Sequence, residues 1–220
     1  ALSRSQDPEK NPLTPEQKLK HAKRMFPDAN IVMLIDISAS MAGADRLDLI
    51  KQAMLDVVEN DFGDHDKLAI VVYSSGVRLA LDTLACTKEN RPAIEAAIKG
   101  LQAGGSTYGS GGLALAYECA KHTLIDKGIN RVLLASDGDF NVGITDQQQL
   151  VQMVKTEAAN GVTLTTLGVG IGNLNDTLME ALADNGNGNY HYLDTLNEAY
   201  KVLVQESVSY THLRAHETRE

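Results

Sequence analysis

Apolar residues along this chain come as short unbroken runs that alternate with stretches of helical spacing. Ile31 to Ile35 is the first such run. It has no polar alternation, which predicts a strand covered on both faces. From Leu47 onward, Leu47, Ile50, Met54, Val57 and Val58 fall on one helical face, which predicts an amphipathic helix. Lys67 to Tyr73 predicts a second strand. Val77 to Leu81 follows Ser74-Ser75-Gly76 directly, which predicts a tight hairpin to an edge strand. Arg91 to Ile98 predicts a helix with Pro92 in its first turn and Gly100 past its end. Leu113, Ala116, Tyr117, Ala120 and Leu124 mark one face of another helix. Arg131 to Ala135 and Val162 to Val169 predict strands, with a helix between them carrying Leu150, Val151, Val154 and Ala158. Leu178 to Ala183 predicts a short helix, Tyr190 to Leu193 a last strand and Asn197 to Gln205 a last helix.

Strands that alternate with helices require crossover connections. The expected fold is therefore α/β: a doubly wound, mostly parallel central sheet flanked by helices, with one short antiparallel edge strand. A single domain over residues 30–206 accounts for the pattern. Residues 1–29 are polar and hold four of the five prolines, so they read as a leader or linker containing at most a short helix. Residues 207–220 are polar and without period, and read as a non-core tail or a sequencing scar. His212 and His216 in that tail are a weak metal-ligand candidate at helical spacing.

Composition narrows the choice of partner. The formal net charge of the 220 residues is −9, which argues against nucleic acid or an anionic membrane surface. No apolar run reaches the roughly 18 residues of a membrane helix. The two cysteines, Cys86 and Cys119, read as separate packed thiols, with one disulfide left open.

In open parallel sheets, ligands bind beyond the carboxyl ends of the strands, where the strand order reverses. Three loops there carry polar chemistry. Asp36-Ile37-Ser38-Ala39-Ser40 follows the first strand. Gly104-Gly105-Ser106-Thr107-Tyr108-Gly109-Ser110-Gly111-Gly112 precedes a helix. Ser136-Asp137-Gly138-Asp139-Phe140-Asn141 follows the strand from Arg131. Two strands thus run out onto a carboxylate ringed by hydroxyls, and none of the three loops contains His or Cys. All-oxygen donors suit a hard cation such as Mg²⁺ or Mn²⁺, with Ca²⁺ also possible. The plainer reading of Asp36, Ser38 and Ser40 is helix capping. The glycine-rich loop lacks the Gly-Lys-Ser/Thr ending of a phosphate cradle.

Asp36-Ile37-Ser38-Ala39-Ser40 resembles the Asp-x-Ser-x-Ser signature of the von Willebrand factor type A (vWA) family. That family's metal-ion-dependent adhesion site also uses a distant Thr and a distant Asp, and Thr107 and Asp137 stand where its pattern expects them. Ala39 departs from the Gly common there. The A-S-D-G-D-F-N-V-G and G-N-G-N-Y segments are similar to bacterial members. The resemblance implies a Rossmann-like fold and a metal held by Asp36, Ser38, Ser40, Thr107 and Asp137. It implies a partner protein that presents an Asp or Glu to that metal, with no catalysis. It further implies an extracytoplasmic setting, as part of a larger exported or membrane-anchored protein, and a last helix that shifts in some members. The enzymatic alternative is Mg²⁺-dependent phosphoryl transfer with Asp36 as nucleophile. It lacks the second acid, since Ser38 stands in that place, and no Lys lies beside Asp137. A serine hydrolase lacks its Gly-x-Ser-x-Gly elbow.

Overall fold

The structure, a computed structural model, describes residues 27–106, 111–138, 147–170 and 176–208. The expected short N-terminal helix and the 209–220 segment lie outside the described residues. Among the described residues, six strands form one sheet: β1 (Ala29–Asp36), β2 (Lys67–Tyr73), β3 (Val77–Ala85), β4 (Ile129–Ser136), β5 (Thr163–Val169) and β6 (Tyr190–Leu193). Their order is β3-β2-β1-β4-β5-β6. All neighbours pair parallel except β2 with β3. Among the described residues, six α-helices accompany them: α1 (Leu47–Asn60), α2 (Arg91–Lys99), α3 (Gly112–His122), α4 (Gln147–Ala159), α5 (Asp176–Asn185) and α6 (Leu196–Val208). The expected mostly parallel α/β sheet with an antiparallel edge is what the chain forms.

The alternation of side chains along each strand sorts the core into two layers. In β1, Ile31, Met33 and Ile35 face a layer built with Ile50, Val57, Ile94, Ile98 and Leu203, from α1, α2 and α6. Val32 and Leu34 face the other, with Leu113, Ala116, Val154 and Leu182, from α3, α4 and α5. Every residue of β1 is buried. This is why its sequence shows no polar alternation: both faces are covered.

Some elements differ from their expected bounds. β3 runs to Ala85, past Leu81, because two register irregularities against β2 let it continue with an exposed outer face. α3 stops at His122, and Leu124, expected on its inner face, is 44% exposed in the following turn. α6 continues past Gln205 to Val208. Its extension is held by polar contacts that hydrophobic spacing cannot register. Glu206 is fully buried. It receives hydrogen bonds from Thr165 Oγ1 at 2.8 Å and Asn189 Nδ2 at 2.9 Å, and lies 3.0 Å from His191 Nε2. Arg131 pairs with its carboxylate and also donates to its main-chain carbonyl at 2.8 Å. The end of α6 is thereby latched to β4, β5 and the β6 approach. The G-N-G-N-Y stretch is the turn into β6, as expected. Cys86 and Cys119 are free.

The strand order also locates the switch point. The chain runs from β1 outward through β2 to β3, then returns to build β4 on the other side of β1. The crevice above β1 and β4 is where the chain departs in opposite directions, and where a ligand site is expected.

Candidate metal site

Register brings the two acid-bearing strand ends together. Ile35 pairs with Ala135 across β1 and β4, so Asp36 and Ser136 stand side by side at the next step. Ser136 Oγ donates to Asp36 Oδ2 at 3.3 Å and accepts the Gly138 N–H at 3.2 Å. Asp36 Oδ1 accepts the Ser38 N–H at 2.8 Å. Both oxygens of a fully buried carboxylate are thus engaged by neutral donors.

Ser38 begins a short 3₁₀ turn over Ala39–Met41, yet its side chain makes no capping bond. Its hydroxyl lies 3.0 Å from that of Ser40 instead. The capping reading of these serines therefore fails here. The turn gathers two hydroxyls beside Asp36, one buried and one at the surface. Met41, fully buried, pins the turn to the core. Ala39 has no positive φ, so alanine introduces no strain at this position.

The glycine-rich loop is stitched to this turn. Ala39 N–H donates to the Gly105 carbonyl at 3.1 Å, and Gly104 N–H to the Ile37 carbonyl at 2.8 Å. Gly105 adopts φ +83°, and a β-carbon there would come 2.6 Å from Ser75 Oγ. Only glycine satisfies both conditions. Ser75 Oγ in turn accepts the Ser106 N–H at 3.0 Å. Thr107, the next residue, lies outside the described residues, as do Tyr108 and Asp139.

Asp137 comes from the other side. Its side chain is 9% exposed, and Oδ2 is 3.9 Å from Arg46 Nη1. Its Oδ1 is buried and has no hydrogen-bond partner among the described residues. Arg46, just ahead of α1, also donates from Nη1 to the Ser40 carbonyl.

The electrostatics follow from this placement. Burial raises the Asp36 carboxyl above its ordinary value, and the nearby charge of Asp137 adds to that rise. The Ser38 and Ser136 hydrogen bonds oppose it. Tyr73, opposite Asp36 on β2, is fully buried. Burial, then the Asp36 charge, hold its phenol well above the usual range. Two neighbouring carboxylates, one of them fully buried, make a place where positive charge is stabilised.

The donor set fits a hard divalent cation. It consists of two hydroxyls and two carboxylates, all oxygen. Among the described residues, no three His, Cys, Asp or Glu side chains cluster as metal ligands. A cation here would rest on hydroxyls as much as on acids. Of the five residues expected at the site, Asp36, Ser38 and Ser40 stand together and Asp137 borders them. Sequence reasoning gave no role to Ser136, Arg46, Ser75 or Tyr73. The serine next to Asp137 was a visible signal for Ser136. Nothing local marked Arg46, because its place depends on strands far away in the chain.

Residues 31–140 match the von Willebrand factor type A domain family. The uncharacterized protein YfbK of Escherichia coli K12 is 48% identical over 181 residues, 82% of this chain and 31% of that protein. This chain therefore spans about a third of that relative's length. A solved structure of von Willebrand factor type A from Catenulispora acidiphila superposes with a TM-score of 0.66 at 20% identity, over 80% of this chain and 41% of that one. Proximal thread matrix protein 1 of the mussel byssus, solved with a zinc-occupied MIDAS motif, gives a TM-score of 0.60 at 18% identity, over 84% of this chain and 47% of that one. The two structural likenesses, at such identities, concern the fold alone.

Proposed function

The chain belongs to the von Willebrand factor type A domain family, and from that premise we propose that it is a metal-dependent protein-binding module. Ser38 and Ser40 supply hydroxyl ligands, and Thr107 supplies a third from the glycine-rich loop. Asp36 and Asp137 bind directly or through water. The metal, when bound, supplies Lewis acidity toward a carboxylate. The single observation that carries this reading is Asp137 Oδ1, a buried carboxylate oxygen without a hydrogen-bond partner among the described residues, beside the buried Asp36.

The chain's own residues explain why such a site would favour an acidic partner. Two of the three hydroxyl ligands sit on a turn that Met41 and the Gly105 contact hold in place. Neutral hydroxyls leave much of a divalent charge unspent. An Asp or Glu side chain from a partner protein would complete the coordination. Mg²⁺ and Mn²⁺ match the oxygen set, and Ca²⁺ shares its chemistry. The zinc in the mussel relative's motif supports a divalent ion at this place in the fold.

We assign no catalytic role. Ser38 stands where a phosphoryl-transfer site needs its second acid, and its hydroxyl is engaged with Ser40. Among the described residues no helix is long and apolar enough to cross a membrane. An extracytoplasmic setting, as part of a longer exported or anchored protein, is the compartment this reading favours.

Calorimetric titration of Mn²⁺ tests the proposal. Wild type is expected to bind one ion, and Asp36→Ala, Thr107→Ala and Asp137→Ala to lose at least about tenfold in affinity. Equal binding by all four proteins would refute the site. Turnover of an aryl phosphate that disappears in Asp36→Ala would replace it with the enzymatic alternative.

A further inference from the structure

Arg46 has no part in the metal-ligand pattern, yet its guanidinium reaches the loops at the ends of three strands. Its Nη1 donates to the Ser40 carbonyl after β1. The same nitrogen lies 3.9 Å from Asp137 Oδ2 after β4. Its Nε and side-chain carbons press against Gly170, directly after β5. Gly170 adopts φ +78°, and a β-carbon there would occupy the space of the Arg46 side chain. Its carbonyl is fixed by the Tyr192 hydroxyl at 3.0 Å. The arginine therefore lies in a slot that only glycine leaves open. Among the described residues its buried Nε has no hydrogen-bond partner, so one donor of the guanidinium is left unmet there. The group is held beside the carboxylates at a cost.

We propose that Arg46 is the resident counter-charge of the site: it balances Asp137 when no metal is bound, and sets both the affinity for the metal and the preference for an anionic ligand. This rests on the metal-binding reading above. A fixed positive charge next to Asp137 offsets its repulsion with the buried Asp36. It also opposes a divalent ion that must share Asp137. Metal affinity is held below what the oxygen set alone would give. Once the ion is in place, the two positive charges act together on an incoming carboxylate. Divalent binding and carboxylate binding thus pull against each other through one residue.

The test uses Mn²⁺ alone, then acetate added to the Mn²⁺-loaded protein and read by water-proton relaxation as it displaces a metal-bound water. Arg46→Gln is expected to tighten Mn²⁺ by roughly tenfold and to weaken acetate by a similar factor. Arg46→Lys, which keeps the charge, is expected to stay within about threefold of wild type for Mn²⁺. Gly170→Ala displaces the guanidinium without removing it, and is expected to tighten Mn²⁺ as well. It also covers the case in which Arg46→Gln fails to fold by circular dichroism. If Arg46 merely braces Ser40, then Arg46→Gln and Gly170→Ala both weaken Mn²⁺, which overturns the proposal. Unchanged Mn²⁺ affinity in the folded variants overturns it too. Absence of Mn²⁺ binding by wild type refutes the underlying site instead, so the two failures are distinct.

Discussion

Ser136 shows how a residue outside the proposed ligand set can orient it. Its hydroxyl holds one oxygen of Asp36 at 3.3 Å while accepting the Gly138 N–H. It thereby links the Asp36 strand end to the loop that carries Asp137. Removing such an orienting contact costs about 10- to 100-fold in metal affinity. Ser136→Ala is therefore expected to weaken Mn²⁺ by that factor with the fold unchanged by circular dichroism. Wild-type affinity would show that Asp36 needs no orientation from β4. Gly105→Ala acts through the backbone. A non-glycine residue in the left-handed region costs about 1–2 kcal/mol, and the added carbon meets Ser75. Chemical denaturation of this variant should show at least that loss. At this scale, Asp36, Ser38 and Ser40 were legible because three residues of one turn carry the whole local pattern. Arg46 was not legible, because its place depends on Gly170, which is brought to it only through the sheet.

The elements were legible where burial is apolar and two-sided. β1 shows this: its short, β-branched hydrophobic run is what a strand with a layer on each face requires. The pattern fails where polar contacts extend or end an element. α3 ends before Leu124, whose spacing would have kept it helical but whose side chain faces solvent. α6 runs on because Glu206 is held in a buried network. That latch has a measurable cost and pH dependence. Glu206→Ala would leave Arg131 without its carboxylate, and a broken buried pair costs about 3–5 kcal/mol. Burial alone would raise the Glu206 carboxyl. The His191 contact, the Arg131 charge and the Thr165 and Asn189 hydrogen bonds outweigh it and set the group below its ordinary 4.5. A carboxyl depressed in the folded state binds its proton less tightly folded than unfolded. The latch thus gives its full stability above the ordinary value and loses it as pH falls through the depressed one. The stability gap between wild type and Glu206→Gln should be level above that window and narrow below it. A gap that does not narrow on acidification would mean that the carboxylate charge is not what fastens α6.

For the whole molecule, the question is whether a cation binds at one place or merely gathers around an acidic surface. The net charge of −9 attracts any cation, and salt screens that attraction within a Debye length of about 8–10 Å. A built site behaves differently. At a hundredfold excess over its dissociation constant, an ion that binds only the folded state adds about 2.7 kcal/mol. For a domain of this size that is roughly 5–10 °C in melting temperature. Mg²⁺ or Mn²⁺ is expected to raise the melting temperature by that amount in 150 mM NaCl, EDTA to reverse it, and Asp137→Ala to abolish it. Asp137 is one of 29 acidic residues, so losing it hardly alters the general field. A shift that survives in Asp137→Ala would point to surface charge and not to the site.

The most direct measurement is the position of the ion. Crystals grown with Mn²⁺, with data collected near the manganese absorption edge, would give its anomalous peak. One strong peak is expected at about 2.0–2.3 Å from the hydroxyl oxygens of Ser38, Ser40 and Thr107, with the carboxylates of Asp36 and Asp137 bound directly or through one water. No peak at saturating Mn²⁺, or a peak away from the crevice between β1 and β4, would contradict it.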